Sequence, residues 1–278
     1  MSPELLFALQ AAFGRGEPVA LVTIVSARGS TPQRVGAKML VHADGRTVGT
    51  IGGGCYESDA LGRAREVIRN RATALVRYDL NDDVAEETGL ICGGQMEVFI
   101  EPIEPPPALY IVGAGHVGQQ LGRLAPAVGF RVHVVDDREK FANRDRFPSA
   151  DAVHVADIGD WLTRADLPPS ACVVIVTRGH RHDFDALKAV AGRNLRYVGV
   201  IGSRAKVARL VELLLADGVP SEWLRALHAP IGLDIGAVTP EEIAISILAE
   251  LIAVHRGKAT GGSDSARSMQ WVAPALRE

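Results

Sequence analysis

Three glycines at the spacing of a dinucleotide-binding loop follow a short apolar stretch near the middle of the chain. The residues of interest in this loop are Gly113, Gly115, His116, Val117 and Gly118. In such a loop, one glycine makes a tight turn, one lets backbone N–H groups approach a pyrophosphate, and one allows a helix to pack closely on a strand. Asp136 ends the next apolar stretch, eighteen residues after Gly118, where a carboxylate would accept hydrogen bonds from a ribose. The pattern predicts a nucleotide-binding fold.

Polar side chains also follow the other apolar stretches of this half, and ligands of doubly wound sheets bind beyond the carboxyl ends of the strands. We therefore expect a second set of residues near the nucleotide: Asp137, Thr177, Arg178, Gly179, His180, Ser203, Arg204 and Lys206. Asp136 and Asp137 would repel a 2′-phosphate, which favours NAD over NADP. Ser203 is expected to cap a helix, and the nearby Arg204 and Lys206 either hold an anion or are solvated charges.

Two histidines after the fourth apolar stretch raise the question of metal binding or catalysis. His180 and His182 precede Asp183 at a spacing that matches no standard zinc site. Local structural histidines, or a helix that starts at His182 and Asp183, are the preferred interpretation. Acid–base catalysis by His180 is the alternative, because an imidazole titrates near neutral pH.

Three glycine-containing loops in the first hundred residues form a second candidate site. Their residues of interest are Thr31, Arg34 and Lys38, then Gly52, Gly53, Gly54, Cys55 and Glu57, then Cys92, Gly93 and Gly94. Each loop alone reads as an ordinary turn. Together they predict a surface around a small phosphorylated or polar ligand, because backbone N–H groups can cradle a phosphate and cations can add charge. Cys55 and Cys92 are either small buried side chains or thiolates for a soft metal or a transferred sulfur, whereas Cys172 is assigned to the core.

The hydrophobic periodicity predicts a mixed α/β (α+β) first domain over residues 1–103. Its helices are expected at residues 4–13 and 57–70, and its strands at residues 19–25, 38–41, 47–51, 72–78 and 95–101. A linker at residues 104–108 follows, because closely spaced prolines favour a stiff, extended chain.

The second domain, residues 109–257, alternates strands with helices, which predicts a Rossmann-like doubly wound parallel sheet. Strands are expected at residues 109–112, 131–135, 153–155, 171–177 and 197–202. Helices are expected at residues 115–128, 157–164, 183–191, 203–217 and 240–255. Thr239 and Glu242 are placed to form a capping box at the last helix, whose apolar stripe packs on its own sheet or on a second copy in a homodimer. Residues 258–278 are expected to be a tail, either mobile or docked, with Trp271 as an anchor.

Composition indicates which partners the protein is expected to bind and in which compartment it is expected to work. Hydrophobic residues make up 47% and charged residues 23% of the chain, as in ordinary globular proteins, and the net charge is −3. This charge predicts no attraction to nucleic acid or to anionic membranes. The chain contains three cysteines and starts without a basic flank, so we expect a cytoplasmic protein without a disulfide framework or secretory signal.

The loops resemble, in this order, those of the xanthine dehydrogenase accessory proteins, the XdhC/CoxI family. The matching segments are residues 29–32, 36–39, 52–57 and 92–94, followed by residues 111–118, 177–183, 197–206 and 230–243. The resemblance implies a chaperone that binds molybdenum cofactor and assists its sulfuration and its insertion into a molybdenum hydroxylase. It also implies a cysteine desulfurase as the sulfur donor.

Two other functions remain open from the residues alone. One is an NAD-dependent oxidoreductase that uses His180 or His182 as acid–base, although the sequence contains no Tyr-x-x-x-Lys pair typical of hydride transfer. The other is an interaction protein controlled by a nucleotide bound to the second domain.

Overall fold

The computed structural model describes residues 1–79, 94–257, 269, 271 and 273–276. The chain forms two compact units, Met1–Pro105 and Pro106–Glu278. None of the helices in the described ranges is long and apolar enough to cross a membrane.

The first unit is built on an antiparallel sheet with the strand order β3-β2-β1-β5-β4. The strands are β1 (Val19–Arg28), β2 (Lys38–His42), β3 (Thr47–Gly49), β4 (Ala74–Asp79) and β5 (Gln95–Ile103), and the helices are α1 (Pro3–Gly14) and α2 (Gly54–Asn70). Val22 and Met39 pack with α2 on one face, whereas Leu21 and Leu40 pack with α1 on the other. Because both faces are covered, β1 is apolar without interruption over its first four residues.

The second unit is built on a parallel sheet with the strand order β10-β9-β6-β7-β8. Its strands are β6 (Ala108–Val112), β7 (Arg131–Asp136), β8 (Ala152–Val155), β9 (Cys172–Ile175) and β10 (Tyr197–Val200). Its helices are α3 (His116–Leu124), α4 (Ile158–Arg164), α5 (His180–Val190), α6 (Arg204–Ala216), α7 (Ser221–Arg225) and α8 (Pro240–His255). Helices α4, α5 and α6 cover one face, and α3 and α8 cover the other. The predicted Rossmann-like doubly wound sheet is confirmed, with its order reversing between β6 and β9.

Several element boundaries differ from those predicted, each for a local reason. Helix α2 begins at Gly54, three residues early, which brings Cys55 into its first turn. Helix α3 ends at Leu124, and a 3₁₀ turn that contains Pro126 replaces its predicted last turn, because proline cannot supply an N–H group to a helix. Helix α5 begins at His180 instead of residue 183. The five-residue helix α7 was missed, since so short a helix has no readable periodicity.

The capping box of α8 and its inward stripe are as expected. The Thr239 hydroxyl accepts from the Glu242 N–H, the Glu242 carboxylate accepts from the Thr239 N–H, and Ile247 and Leu251 are fully buried in their own unit. The described residues of the tail dock on the second unit: the N–H groups of Met269 and Trp271 donate to the carbonyls of Gly232 and Ala229.

Candidate functional site

Loops from separate parts of the first unit meet where the sequence predicted a ligand surface. A Cβ atom on Gly52 would lie 2.5 Å from Cβ of Pro32, and one on Gly94 would lie 2.6 Å from the Arg28 carbonyl oxygen. Only glycine allows such close approach, so the loops pack directly on one another. We call residues 28–32, residues 52–55 and Gly94 the glycine-loop surface. Cys92 and Gly93 lie outside the described residues.

Glu57 organises the glycine turn that precedes α2. Its carboxylate oxygen Oε2 accepts from the Thr50 hydroxyl at 2.5 Å and from the N–H groups of Ile51 and Gly53, each at 3.0 Å. Burial by itself raises the pKa of Glu57, but the hydrogen bonds from Thr50, Gly53 and Ile51 outweigh it and leave the pKa below its usual value. The N–H groups of Ile51 and Gly53 therefore donate to Glu57, whereas the sequence had suggested that the N–H groups of this turn face a ligand.

Replacing Glu57 by glutamine is expected to lower the free energy of unfolding at neutral pH by about 1 kcal/mol, because the hydrogen bonds lose their charged acceptor. A lowered folded-state pKa means stability that is present above the unfolded pKa of about 4.3 and lost as pH falls through the folded pKa. The difference between wild type and variant should therefore shrink in acid. Chemical unfolding followed by circular dichroism at neutral and acidic pH measures it.

The matched control is Glu66→Gln, which removes an exposed carboxylate from the same helix. It should leave the unfolding free energy nearly unchanged at both pH values. An equal loss in the two variants, or a Glu57→Gln deficit that persists in acid, would contradict the role of Glu57 as the charged acceptor of the turn.

The other predicted residues of the first unit lie in different surroundings. Cys55 is half-buried at the start of α2, directly after the glycine turn. Arg34 is exposed, and the Thr31 hydroxyl donates to the Gln33 carbonyl within its own loop. Lys38 donates from Nζ to the Thr23 hydroxyl at 2.9 Å, on the sheet face that α1 covers. The structure therefore separates Lys38 from the α2 face of the sheet.

A small polar cavity beside the glycine-loop surface was not predicted. Its volume is about 140 Å³, and its lining residues are Ser26, Arg28, Arg77, Gln95, Met96 and Glu97. Small-molecule sites typically measure about 300 to 1,000 Å³, so this cavity suits a group of phosphate size and not a whole cofactor. Arg77 donates to the Gln95 side chain at 2.8 Å. In the sequence, only the position of Arg28 next to Gly29 could have pointed to this cavity. Arg77 comes from another strand, and nothing in the sequence links it to Arg28.

In the second unit, the glycine turn after β6 has the predicted packing. Gly113 has a φ of +112°, and a Cβ atom there would lie 2.5 Å from the Val176 carbonyl oxygen. A Cβ atom on Gly118 would overlap the carbonyl oxygen of Gly113. Gly115, His116 and Val117 open the first turn of α3. Strand, turn and helix thus have the geometry of a nucleotide-binding fold.

Asp136 lies at the end of β7 as predicted, but its carboxylate is already engaged. It is 2% exposed and accepts from the Ala114 N–H at 2.8 Å and from Arg138 Nε and Nη2 at 2.8 and 2.9 Å. Burial acts to raise the pKa of Asp136, and the hydrogen bonds from Arg138 and Ala114 outweigh this and lower it. Asp136 braces the glycine turn against Arg138, so the residues present do not fit a ribose at this carboxylate.

Asp137 and Arg178 form an ion pair across the end of β6. The guanidinium of Arg178 donates to both oxygens of Asp137, at 3.0 and 2.7 Å. Asp137 follows β7 and Arg178 follows β9, and β6 lies between those two strands. The pair therefore joins the two sides of the crevice into which the glycine turn opens. It also neutralises the second carboxylate that was expected to repel a 2′-phosphate.

Thr177, Asp183 and Lys206 form a structural network instead of an anion site. The Thr177 hydroxyl donates to Asp183 at 2.6 Å, and Lys206 Nζ lies 2.5 Å from the other oxygen of this fully buried carboxylate. The Lys206 side chain is thus directed inward, because a buried carboxylate needs a charged partner. Lys206 therefore already has a carboxylate partner inside the protein, whereas the sequence left open an anion site or a solvated charge.

The remaining residues at this end of the sheet have local roles or face solvent. Ser203 caps α6, as expected, by accepting from the Lys206 N–H at 3.3 Å. Gly179 is the N-cap of α5, and His180 and Arg204 are exposed. No group of three histidine, cysteine, aspartate or glutamate residues in the described ranges is placed to hold a metal ion.

The sequence matches known protein-family models over most of both units. A model described as the XdhC Rossmann domain matches residues 109–251, and one described as the XdhC and CoxI family matches residues 12–79. The uncharacterized protein YqeB of Escherichia coli (strain K12) is 38% identical over 88% of this chain. The chain spans only 45% of the length of YqeB.

Two further relatives are similar along nearly their whole length. A Bacillus subtilis (strain 168) protein, named as a probable xanthine dehydrogenase subunit, is 27% identical, over 86% of this chain and 94% of that protein. The molybdenum cofactor insertion chaperone PaoD of Escherichia coli (strain K12) is 24% identical, over 90% of this chain and 87% of that protein. A crystal structure of a xanthine dehydrogenase from Bacillus halodurans has a TM-score of 0.51 and 26% identity, covering 95% of this chain and 98% of that chain.

Proposed function

The chain belongs to the XdhC and CoxI family, and from this premise we propose that it binds molybdenum cofactor and assists its insertion into a molybdenum hydroxylase of the xanthine dehydrogenase type. The names of two relatives support the proposal, since one is a molybdenum cofactor insertion chaperone and the other a probable xanthine dehydrogenase subunit. The protein is then an accessory protein that carries a cofactor and turns over no substrate of its own.

The observation that carries this proposal is the meeting of loops at the glycine-loop surface, with a half-buried thiol at its edge. Molybdenum cofactor combines a pterin, an ene-dithiolate that holds molybdenum, and a phosphate. Arg28 and Arg77 line the phosphate-sized cavity on the sheet face opposite α2, the face on which Lys38 also lies, and they supply the charge for the phosphate. Cys55, at the start of α2, supplies a thiolate for the metal, and Cys92 is a second candidate from the sequence. The types of donor therefore suit the cofactor.

Three finer parts of the proposal rest on the family resemblance and on the sequence. The first is that a cysteine desulfurase provides sulfur for the bound cofactor before delivery. The second is that the protein works as a homodimer, for which the exposed Ile245 and Ile252 on α8 offer an apolar patch. The third is a cytoplasmic location, which suits a protein with three cysteines.

The decisive experiment is to purify the protein from cells that make molybdenum cofactor but lack the client hydroxylase. Without a client, the protein cannot pass its cofactor on, so bound cofactor should remain on the purified protein. We expect molybdenum and pterin in near-equal amounts to the protein, measured by metal analysis and by pterin fluorescence after oxidation. Protein without pterin, together with a client that matures normally when the gene is deleted, would overturn the proposal.

The same preparation tests the alternative that the second unit binds NAD for redox chemistry or for control of docking. The glycine turn after β6 favours this alternative, but Asp136 and Asp137 are both paired with arginines. We therefore expect no bound NAD and no rise in melting temperature when NAD is added. Stoichiometric NAD without pterin would favour the oxidoreductase or the nucleotide-controlled interaction protein.

A further inference from the structure

A larger cavity lies in the second unit beside helix α4. Its volume is about 450 Å³, within the range of small-molecule sites. It is formed between the middle of strands β6 and β7 and helix α4, and its lining residues are Tyr110, His133, Ala156, Asp157, Asp160, Trp161, Arg164, Ala165 and Asp166. We call it the aromatic pocket. Neither the proposed cofactor carriage nor the glycine turn uses any of these residues.

Flat rings line the inner part of the aromatic pocket. Tyr110 and His133 are neighbours on β6 and β7 and stack with ring centroids 4.7 Å apart and an angle of 19° between the rings. The Trp161 ring lies 6.2 Å from that of Tyr110 and 4.7 Å from that of His154. Such surfaces favour a planar aromatic ligand, because stacked and tilted ring pairs gain energy beyond the area that they bury.

His133 adds polarity to this wall. Burial lowers the pKa of His133 below the ordinary histidine value, which favours the neutral form of the ring. The Nε2 atom of His133 is buried and has no hydrogen-bond partner among the described residues. A buried polar atom without a partner is uncommon in folded proteins and marks a place where a ligand or a water molecule belongs.

The rim of the pocket sets the charge of the ligand. Among its lining residues, three carboxylates, from Asp157, Asp160 and Asp166, stand against one guanidinium, from Arg164. Asp157 Oδ1 also caps α4 by accepting from the Asp160 N–H, and the charge of Arg131 acts on Tyr110 and His133 from outside the lining. Arg164 lies 3.8 Å from Asp160, and both side chains are largely exposed. The excess of acceptors repels anions and favours N–H donors and positive charge. A cationic ring would also be attracted to the face of Trp161.

We infer that the aromatic pocket binds a planar nitrogen heterocycle that carries N–H donors and no acidic group. The rings of Tyr110 and Trp161 stack on the ligand, and the carboxylates of the rim accept from its amino groups. This ligand differs in chemistry from the phosphate-bearing cofactor proposed for the first unit, so each proposal can fail without the other.

The test is titration of the purified full-length protein with 2-aminopurine, a fluorescent amino heterocycle whose emission is quenched on stacking. We expect saturable quenching that adenine reverses by competition and that 1-naphthoate, a planar anion, does not reverse. Absence of saturable quenching at millimolar 2-aminopurine would overturn the inference. Equal competition by naphthoate would overturn the assigned charge preference.

Three variants locate the binding. Trp161→Leu is expected to weaken binding about tenfold, through loss of stacking. The double variant Asp160→Asn, Asp166→Asn changes only exposed rim groups and should also weaken it. Arg164→Gln should strengthen binding, because it removes the one positive charge of the rim. Glu212→Gln, an exposed carboxylate on α6, is the control and should have no effect.

Weaker binding of 2-aminopurine by Arg164→Gln would mean that the pocket prefers an anion, and it would overturn the proposed class of ligand. If Trp161→Leu were to disturb folding, the rim variants still decide the question, since their side chains are exposed. Unchanged affinity in all three variants would show that 2-aminopurine binds elsewhere.

Discussion

Replacing Cys55 by serine is expected to reduce bound molybdenum at least about tenfold, and to reduce activation of the client hydroxylase in parallel. Serine is nearly the same size as cysteine but offers a hydroxyl, which binds a soft metal centre far more weakly than a thiolate does. Cys55 is half-buried at the end of the glycine turn, so the exchange should leave the fold and the melting temperature unchanged. Metal analysis of the purified variant measures the loss.

Cys172→Ala is the matched control for this prediction. Cys172 is 1% exposed in β9 of the second unit, so its loss should cost about 1 kcal/mol of stability and leave cofactor binding intact. The double variant Cys55→Ser, Cys92→Ser completes the series. If it carried and delivered cofactor as well as wild type does, neither thiol would take part, and the assignment of the metal to the glycine-loop surface would fail.

Replacing Gly118 by alanine is expected to lower the free energy of unfolding of the second unit by about 3 kcal/mol or more. A Cβ atom at this position would overlap the carbonyl oxygen of Gly113 and lie 3.2 Å from Cγ2 of Ile111. Both neighbours are fixed, because Ile111 is fully buried in the central strand β6 and the Gly113 N–H donates to the Val135 carbonyl at 2.9 Å. The helix α3 must therefore move away from the sheet.

Gly115→Ala gives a control within the same loop. Nothing lies within 4 Å of a Cβ atom at Gly115, whose φ of −68° suits any residue. Its only cost is a poorer N-cap for α3, about 0.5 to 1 kcal/mol. Urea unfolding followed by tryptophan fluorescence reports on the second unit, since Trp161, Trp223 and Trp271 all belong to it. Equal losses in the two variants would refute a packing role for Gly118.

These two predictions separate the two sites of the molecule. Cys55→Ser should reduce cofactor carriage without affecting stability, whereas Gly118→Ala should reduce the stability of the second unit, at a glycine turn for which we propose no bound dinucleotide. If Gly118→Ala were stable but failed to mature the client, the crevice of the second unit would have a direct role in delivery. The Asp137–Arg178 pair, which spans that crevice, would then be the next target.

The resemblance to the XdhC/CoxI family and the Rossmann-like sheet were both predicted from sequence and are confirmed. The reason is that local patterns carry this information. Apolar stretches of four to six residues, bounded by glycines or polar residues, define the buried parallel strands. The fingerprint Gly113 to Gly118 is recognisable from the spacing of its glycines, and the capping box of Thr239 and Glu242 lies within four residues.

Side-chain partners could not be predicted, because the sequence does not say which of several near or distant groups the fold brings together. Asp136 was expected to meet a ribose, but its oxygens are taken by Arg138 and by the N–H of Ala114, twenty-two residues away. Lys206 was expected either to hold an anion or to be solvated, but it forms an ion pair with the buried Asp183. In both cases a charge whose position was correctly predicted found its partner within the protein, since a buried carboxylate without one is costly.

By itself, the sequence determined the class of the second unit's sheet, the glycine turns at residues 52–54 and 113–118, and the family, since these are marked by periodicity and by the spacing of a few residues. Only the tertiary structure decided which charges remain available to a ligand. It packs Gly52 against Pro32 and Gly94 against Arg28. It also brings Arg77 and Arg28 into one cavity, and Tyr110, His133 and Trp161 into another. Those contacts depend on which strands become neighbours, and a linear pattern does not contain that information.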